Sequence, residues 1–437
     1  MTDARLCAVN ALGEQERRSA YSDALLNDFL QGYDLDPRDA ALASRLYYGV
    51  LQNKIYLDRR ISRHCKLKLS KLHPKVRNIL RVGAYQLIFC DKIPSSAAVN
   101  EAVKHTKITG NFKAAGMVNA ILRRIAEDPR ESLEFSTETE RLSVTYSHPE
   151  ELVSLFSGSI SDVAALLKAN NSIPPVTLRA NTLRTNADEL CQKLAGYGAE
   201  KWIGDCLKLN SLGGVSPTGL AEYSAGLFSV QDASSWLAVK ALDPQPGELI
   251  IDGAAAPGGK TLCAAELSQN KAKLLAFDIY EDKLELIEQN AKRLGVTCVE
   301  TAIRDASLPD PALAGRADKV IADLPCSGLG IIRKKPDIRY RDLAEAAELP
   351  ALQLKLLTAL STYVRPGGTV VYSTCTVLRR ENEDVLFEFL KNNPEFYPEP
   401  LFEDMEAPFR AEKGYLPLLP HVHGTDGFFI SKLRRKA

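Results

Sequence analysis

From about residue 239 to the C-terminus, short apolar runs alternate with stretches of helical periodicity. That alternation leaves few folds open. The runs at 248–252, 273–278, 297–302, 319–323 and 369–374 are too short for helices, and most are rich in Ile, Leu, Val or Ala. Strands that are apolar on both faces need cover on both faces. Strands joined through helices pair in parallel, because a crossover connection returns the chain to the same end of the sheet. The region is therefore expected to be a doubly wound α/β sheet. After Pro350, Leu352, Leu356 and Leu360 share one helix face, with the proline in the first turn. Phe396-Tyr397 and Gly427 to Leu433 are expected to add edge strands. In such a sheet ligands bind at the carboxyl ends of the strands, so the residues just after each run carry the chemistry.

The rest of the 437 residues divides by pattern into an expected multi-domain chain. Residues 1–130 read as an all-α domain. Leu42, Leu46 and Val50 repeat at helical spacing, as do Val76, Leu80 and Leu87, then Val118, Leu122 and Ile125. Residues 131–165 are polar, then weakly helical, and are expected to be a linker. Residues 166–238 are expected to form a small α+β domain. Val176 to Asn181 is strand-like, a helix follows near 187–194, and turns are expected around Gly196, Gly198, Gly213 and Gly214. Residues 239–437 are the expected catalytic domain.

Net charge is zero, but it is unevenly spread. Residues 1–130 hold 22 Lys and Arg against 13 Asp and Glu, a net of +9, so the remainder nets −9. Such asymmetry suits either a polyanion-binding half or an ordinary solvated helical surface. The densest basic stretch, Arg59 to Lys68, is read as tracking a phosphate backbone or as a solvated face. No apolar run approaches the roughly 18 residues of a membrane span, and Met1 to Arg5 precede no signal-peptide core. Nine cysteines without a CxxC pair suit a reducing cytoplasm. Six scattered histidines have no metal-ligand spacing, and no metal is expected.

Asp252-Gly253-Ala254-Ala255-Ala256-Pro257-Gly258-Gly259-Lys260-Thr261 is a strand end, a small-residue turn and a helix start. Small residues let a ligand approach the backbone, and the free N–H groups of a helix N-terminus suit a carboxylate. Ala254 stands where a P-loop needs glycine, and the pattern is not GxGxxG, so neither an NTPase nor a dehydrogenase is expected. Asp278 ends the next strand, 19 residues after Gly259. That offset is close to the one for a ribose-binding acid, the alternative being a strand-end or capping Asp. Asp305 follows the third strand and is read as an acceptor for an adenine amino group or as a turn residue. Cys326, in Asp323-Leu324-Pro325-Cys326-Ser327-Gly328, and Cys375, in Ser373-Thr374-Cys375-Thr376, each follow a strand. Two thiols beside a carboxylate and near a ligand loop suggest covalent catalysis. Lys260 is read as a charge favouring ionised groups nearby or as a helix-surface lysine. Arg333-Lys334-Lys335-Pro336-Asp337 is read as a phosphate-holding or a solvated loop.

These residues together resemble the S-adenosylmethionine-dependent RNA cytosine-5 methyltransferases, in particular the Sun/Fmu group that acts on ribosomal RNA. The first family motif is present as Asp252 to Lys260, with Ala254 in place of the usual cysteine. The second is Asp323 to Gly328. The third is Thr374-Cys375, with Thr376 where serine is more usual. Glu381-Asn382-Glu383 and His423 to Phe429 also fit. Ile93 to Val103 resembles the NusB-type helical RNA-binding domain of this group. The resemblance implies a Rossmann-like catalytic domain with S-adenosylmethionine bound by residues 254–260, Asp278, Asp305 and Asp323. It implies Cys375 as nucleophile at carbon 6 of cytosine, Cys326 in product release, and Asp323 against the base. The implied substrate is small-subunit (16S) ribosomal RNA. The alternatives are a transfer RNA methyltransferase or a non-catalytic assembly factor with a vestigial site. Both cysteines and Asp323 are retained, which argues against decay. The N-terminal helical domain favours ribosomal over transfer RNA, and the resemblance makes residues 166–238 a small RNA-binding domain.

Overall fold

The computed structural model describes residues 3–18, 22–210, 212 and 215–437. It divides into two compact units. One comprises Met1–Ser172 with Ile332–Arg341, the other Ile173–Ile331 with Asp342–Ala437.

The first unit is helical among its described residues. It contains α1 (Ala4–Arg18), α2 (Ser22–Tyr33), α3 (Pro37–His64), α4 (Pro74–Phe89), α5 (Ser95–Ile108) and α6 (Ala115–Glu127). Asp36 starts α3, accepting from the N–H groups of Arg38 and Asp39, with Pro37 at the first helical position. Such a cap satisfies donors that the helix cannot, and contributes about 0.5–2 kcal/mol. The helical spacing seen in the sequence is the core spacing: Leu46, Val50, Val76, Leu80, Val118, Leu122 and Ile125 are buried. Leu42 and Leu87 pack against them half-buried.

Residues 131–165 are not a bare linker. They carry α7 (Glu138–Tyr146), α8 (Glu150–Ser157) and the start of α9 (Val163–Asn170). Leu142, Val144, Leu152, Val153 and Phe156 are buried there. Helices of eight or nine residues show too few turns for periodicity to reveal them. The stretch is also tied to α3, where Ile55 N–H donates to Ser147 Oγ at 2.7 Å.

The second unit holds two sheets. β1 (Val176–Ala180), β2 (Ala199–Lys201), β3 (Cys206–Leu209) and β4 (Phe228–Val230) form an antiparallel sheet in the order β2-β3-β1-β4, with α10 (Ala187–Lys193) and α11 (Ala221–Ser224). The expected turn residues Gly213 and Gly214 lie outside the described residues. Arg179 of β1 and Glu266 form a buried ion pair that keys this sheet to the larger one.

α12 (Ala233–Leu242) leads into the larger sheet, built from β5 (Leu249–Asp252), β6 (Lys273–Asp278), β7 (Val299–Ile303), β8 (Ala317–Asp323), β9 (Val364–Thr374), β10 (Phe396–Pro398), β11 (Tyr415–Leu418) and β12 (Phe428–Arg435). The helices between are α13 (Gly259–Leu267), α14 (Glu281–Leu294), α15 (Leu349–Ser361), α16 (Glu383–Asn392) and α17 (Pro420–His423). The strand order is β10-β12-β9-β8-β5-β6-β7, and β11 pairs with β12. β9, β8, β5, β6 and β7 are parallel neighbours, and β12 adds antiparallel to β9. The chain thus runs outward from β5 through β6 and β7, then returns to the other side of β5 with β8. That reversal opens a crevice at the carboxyl ends of β5 and β8, where such sheets bind ligands. β11 was not expected: four residues interrupted by Pro417 show little strand signal. No described helix is long and apolar enough to cross a membrane.

Candidate active site

β5 ends at Asp252 and the chain turns through Gly253 to Gly258 before α13 begins. Gly258 caps the helix at φ +96°, a left-handed conformation that a residue with a Cβ adopts only with strain. Asp252 is buried and accepts from the Thr261 hydroxyl at 2.6 Å. Burial pushes its carboxyl up to about 7, against the Thr261 bond, with the charge of Asp323 adding to the rise. Asp278, at the end of β6, reaches back to the same turn. Its Oδ2 accepts from Ala256 N–H at 3.3 Å and its Oδ1 from Tyr280 N–H at 3.2 Å. Ala254 and Ala256 are half-buried, Ala255 is buried and Pro257 is exposed. Asp305 follows β7, is exposed, and accepts from Ser307 N–H at 2.8 Å. That bond holds its carboxyl below the usual range. Asp305 is therefore both a turn residue and an available acceptor.

These residues fit S-adenosylmethionine. A turn of small side chains stands at a helix N-terminus, and a half-buried carboxylate closes the end of the neighbouring strand. Ala254 to Lys260 would hold the amino-acid portion, and Asp278 the ribose.

The two cysteines, 49 residues apart in sequence, meet because β8 and β9 are parallel neighbours with Asp323 paired to Ser373. Cys326 lies three residues beyond one end of that pair and Cys375 two beyond the other. Their Sγ atoms are 3.1 Å apart, and Cys375 N–H donates to Cys326 Sγ at 3.2 Å. Both are partly buried and free. Close backbone packing holds the second loop down: Gly330 N–H donates to Cys375 O at 2.9 Å and Gly427 N–H to Gly330 O at 2.8 Å. A Cβ at Gly330 would stand 1.9 Å from Gly427 O, so only glycine fits.

Lys260 is not a surface lysine. Its side chain is 11% exposed, and Nζ donates to Asp323 Oδ2 at 2.6 Å. The ammonium also lies 5.1 Å from the centre of the Phe428 ring. Burial opposes its charge, but Asp323, Asp252 and Cys375 raise its pKa above the ordinary lysine value. Ser373 Oγ donates to Asp323 Oδ1 at 2.7 Å, so both oxygens of that carboxylate are held. Cys326 is pushed well above the usual thiol range, first by its hydrogen bond with Cys375, then by burial and the charges of Cys375 and Glu381.

Three residues that hold this site were given no role in the sequence: Ser373, Gln353 and Glu381 are fully buried. For Ser373 and Gln353, a polar residue in a largely apolar run was the available signal; Glu381, quoted only within Glu381-Asn382-Glu383, sits in a charged stretch that gives no sign of burial. Two basic stretches also differ from expectation. Arg60 is buried and donates to the Asp128 and Pro129 carbonyls, and Arg59 and Arg63 pair with Glu140 and Glu131. Arg60 therefore holds structure and is withdrawn from any phosphate track, whereas Arg59, Arg63, Lys66 and Lys68 are exposed. Arg333 and Asp337 are buried and belong to the helical unit, so their loop is not simply solvated.

The family model for the 16S rRNA methyltransferase RsmB/F matches residues 239–434, and the NusB family model matches residues 2–127. The model for the ferredoxin-like domain of RsmF/B-like methyltransferases matches residues 148–216, starting within the stretch expected as linker. The chain is 36% identical to the probable ribosomal RNA small subunit methyltransferase B of Bacillus subtilis (strain 168), covering 100% of this chain and 99% of that protein. It is 35% identical to the Synechocystis protein of the same name, covering 100% of each. The crystal structure of PH0851 superposes with a TM-score of 0.81 at 26% identity, over 99% of this chain and 98% of that one. A methyltransferase homologue from Pyrococcus horikoshii gives 0.57 at 29% identity, over 69% of this chain and 100% of that one.

Proposed function

The chain belongs to the RsmB/F family of 16S rRNA methyltransferases, and from that premise we propose that it methylates carbon 5 of a cytosine in small-subunit ribosomal RNA through a covalent adduct with Cys375. The observation that carries this reading is the pair of thiols 3.1 Å apart, with a buried cation on one side and a carboxylate on the other. Two thiolates at that distance repel, and the Cys375 bond and the Glu381 charge push the Cys326 thiol up, so Cys326 is read as the thiol that stays protonated while Cys375 attacks.

Carbon 5 of cytosine is a poor nucleophile. Addition of the Cys375 thiolate to carbon 6 forms a carbon–sulfur bond and moves the 5,6 π electrons into the ring, so that carbon 5 becomes enamine-like. Asp323, held in place by Lys260 and Ser373, accepts a hydrogen bond from the polar edge of the base. S-adenosylmethionine supplies an activated methyl, which carbon 5 takes with the sulfonium electron pair returning to sulfur. Cys375 is then a neutral thioether, and its own hydrogen bond and charge no longer raise Cys326, while burial and Glu381 still do. Cys326 can lose its proton to solvent, accept the carbon 5 proton, and let the carbon 6–sulfur bond break with its electrons returning to Cys375. One proton is released per methyl transferred.

The base must leave its stack to be reached at both carbon 5 and carbon 6, so an unpaired nucleotide is the target. The helical unit, with its excess of basic residues, is the source of sequence-independent RNA affinity. The test is incubation with S-adenosylmethionine and small-subunit RNA, followed by nucleoside mass spectrometry. 5-Methylcytidine is the expected product. A methyl on the exocyclic nitrogen or ribose would refute the reading.

A further inference from the structure

Glu381 is fully buried, and the donors to its carboxylate among the described residues are neutral. Its Oε2 accepts from Ser327 N–H at 2.8 Å and from Gln353 Nε2 at 3.1 Å, while its Oε1 has no hydrogen-bond partner. Gln353, from α15 and equally buried, gives the same Nε2 to Pro325 O at 2.9 Å. The two peptide groups that flank Cys326 are thus held by one carboxylate, directly on one side and through one amide on the other. The Glu381 backbone carbonyl accepts from Tyr372 OH, which fixes the carboxylate's own anchor to β9. A buried carboxylate with only neutral donors is costly to keep, and a neutral glutamine could take the same N–H bonds. Its charge therefore calls for a role.

We propose that Glu381 is a positioning residue for Cys326: with Gln353 it sets the Cys326 loop so that the two sulfurs stand 3.1 Å apart, and its negative charge keeps Cys326 protonated until Cys375 is joined to the base. This rests on the covalent reading above and deepens it. The groups that bear on Cys326 are Cys375 beyond β9 and Glu381 before α16. Tyr372 on β9, Glu383 on α16, Asp323 on β8 and Lys260 on α13 surround them, and Gln353 presents only a neutral amide from α15.

The experiment follows the covalent protein–RNA adduct on denaturing gels after mixing the full chain, S-adenosylmethionine and small-subunit RNA, with formation and release timed separately across pH. Glu381→Gln keeps the acceptor and removes the charge. Its release rate should have a pH midpoint lower by about one unit, the scale of one nearby charge, with adduct formation little changed. Gln353→Met loosens the Pro325 side without altering charge. Its release should slow about tenfold, the scale of one lost hydrogen bond at a placed catalytic group, with the midpoint unmoved. Equal slowing of formation and release in both variants, with no shift in midpoint, would mean that Glu381 is merely structural and would overturn the proposal. An unshifted Glu381→Gln profile beside a normal Gln353→Met rate would do the same. If neither the unaltered chain nor Cys326→Ala forms any adduct, the covalent reading itself falls, a result distinguishable from the other two.

Discussion

Lys260 stands toward one thiol of the pair and Glu381 toward the other, and that polarity separates two chemically identical substitutions. Cys375→Ala should abolish methylation and leave no covalent intermediate. Cys326→Ala should still permit attack and methyl transfer, and should leave the enzyme joined to its RNA as a slowly migrating band on a denaturing gel. The reverse pattern would exchange the two roles. Full activity in both variants would leave the thiols as core residues. Asp278 is a separate matter, because its carboxylate accepts from Ala256 and Tyr280 beside the turn that would hold the amino-acid portion of S-adenosylmethionine. Asp278→Ala should weaken S-adenosylmethionine binding by about 1–3 kcal/mol, the scale of a lost charged hydrogen bond. Unchanged affinity by calorimetry would remove Asp278 from the binding site. Both cysteines, Asp278 and the small-residue turn could be picked out in the sequence, since each follows a short apolar run. The inward turn of Lys260 could not, because a lysine in a helix's first turn is ordinarily solvated.

At the scale of elements, α1, α3 and α4 are joined by an ion cluster. Glu16 takes Arg77 at 2.9 Å, Arg81 at 2.5 Å and Lys54 at 3.4 Å, and Arg81 also takes Asp58 at 2.7 Å. Burial would raise the Glu16 carboxyl, but the charges of Arg81 and Lys54 and the bonds from both arginines hold it at about 2, against an ordinary 4.5. A carboxyl lowered on folding contributes stability that is present above its unfolded pKa and is lost as pH falls through the folded one. A shift of this size corresponds to about 3 kcal/mol. Relative to Glu16→Gln, the unaltered chain should hold a constant advantage above about pH 5 that shrinks toward pH 2. Urea unfolding followed by circular dichroism measures it, while Trp202 and Trp236 report separately on the other unit. An advantage independent of pH would show that the cluster acts by packing alone.

Across the whole molecule, charge and connectivity both depart from a simple chain of beads. The excess of basic residues in the first 130 lies largely at the surface, where lysines stand alongside exposed arginines such as Arg59 and Arg63. Lys66, Lys68, Lys71, Lys107 and Lys113 are exposed. Lys71 and Lys113 line a groove of about 540 Å³ with Leu67, Leu72, Met117 and Phe112, which is 69% exposed. Cations beside an exposed ring suit a single strand, in which bases stack and phosphates pair. Lys71→Gln with Lys113→Gln in the full chain should lower the slope of log affinity against log salt by about 0.7 per lysine for single-stranded RNA. An unchanged slope would place the RNA elsewhere. The helical unit also draws in residues 332–341, a short passage beyond Cys326. Arg339 is buried there, donating to the carbonyls of Gln52 and Ser147 and to Asn171 Oδ1 at 2.9–3.2 Å, and Tyr340 OH donates to Leu51 O at 2.7 Å. Cutting the chain near residue 170 therefore removes the helices that enclose this segment.

Local pattern was enough to read the alternating strands and helices, the small-residue turn after β5, and the thiols and carboxylates that end the strands. Each is written in a few neighbouring residues, by a period of two or 3.6 or by a turn that tolerates only small side chains. The tertiary structure decided everything that depends on which elements become neighbours. Parallel pairing of β8 with β9 brings Cys326 against Cys375. The start of α13 just beyond β5, the neighbour of β8, turns Lys260 toward Asp323. The approach of α15 and the start of α16 encloses Gln353 and Glu381 behind the Cys326 loop. Arg60 and Arg339 look in sequence like any other surface arginine, and they are buried because carbonyl groups distant along the chain come to meet their guanidinium groups.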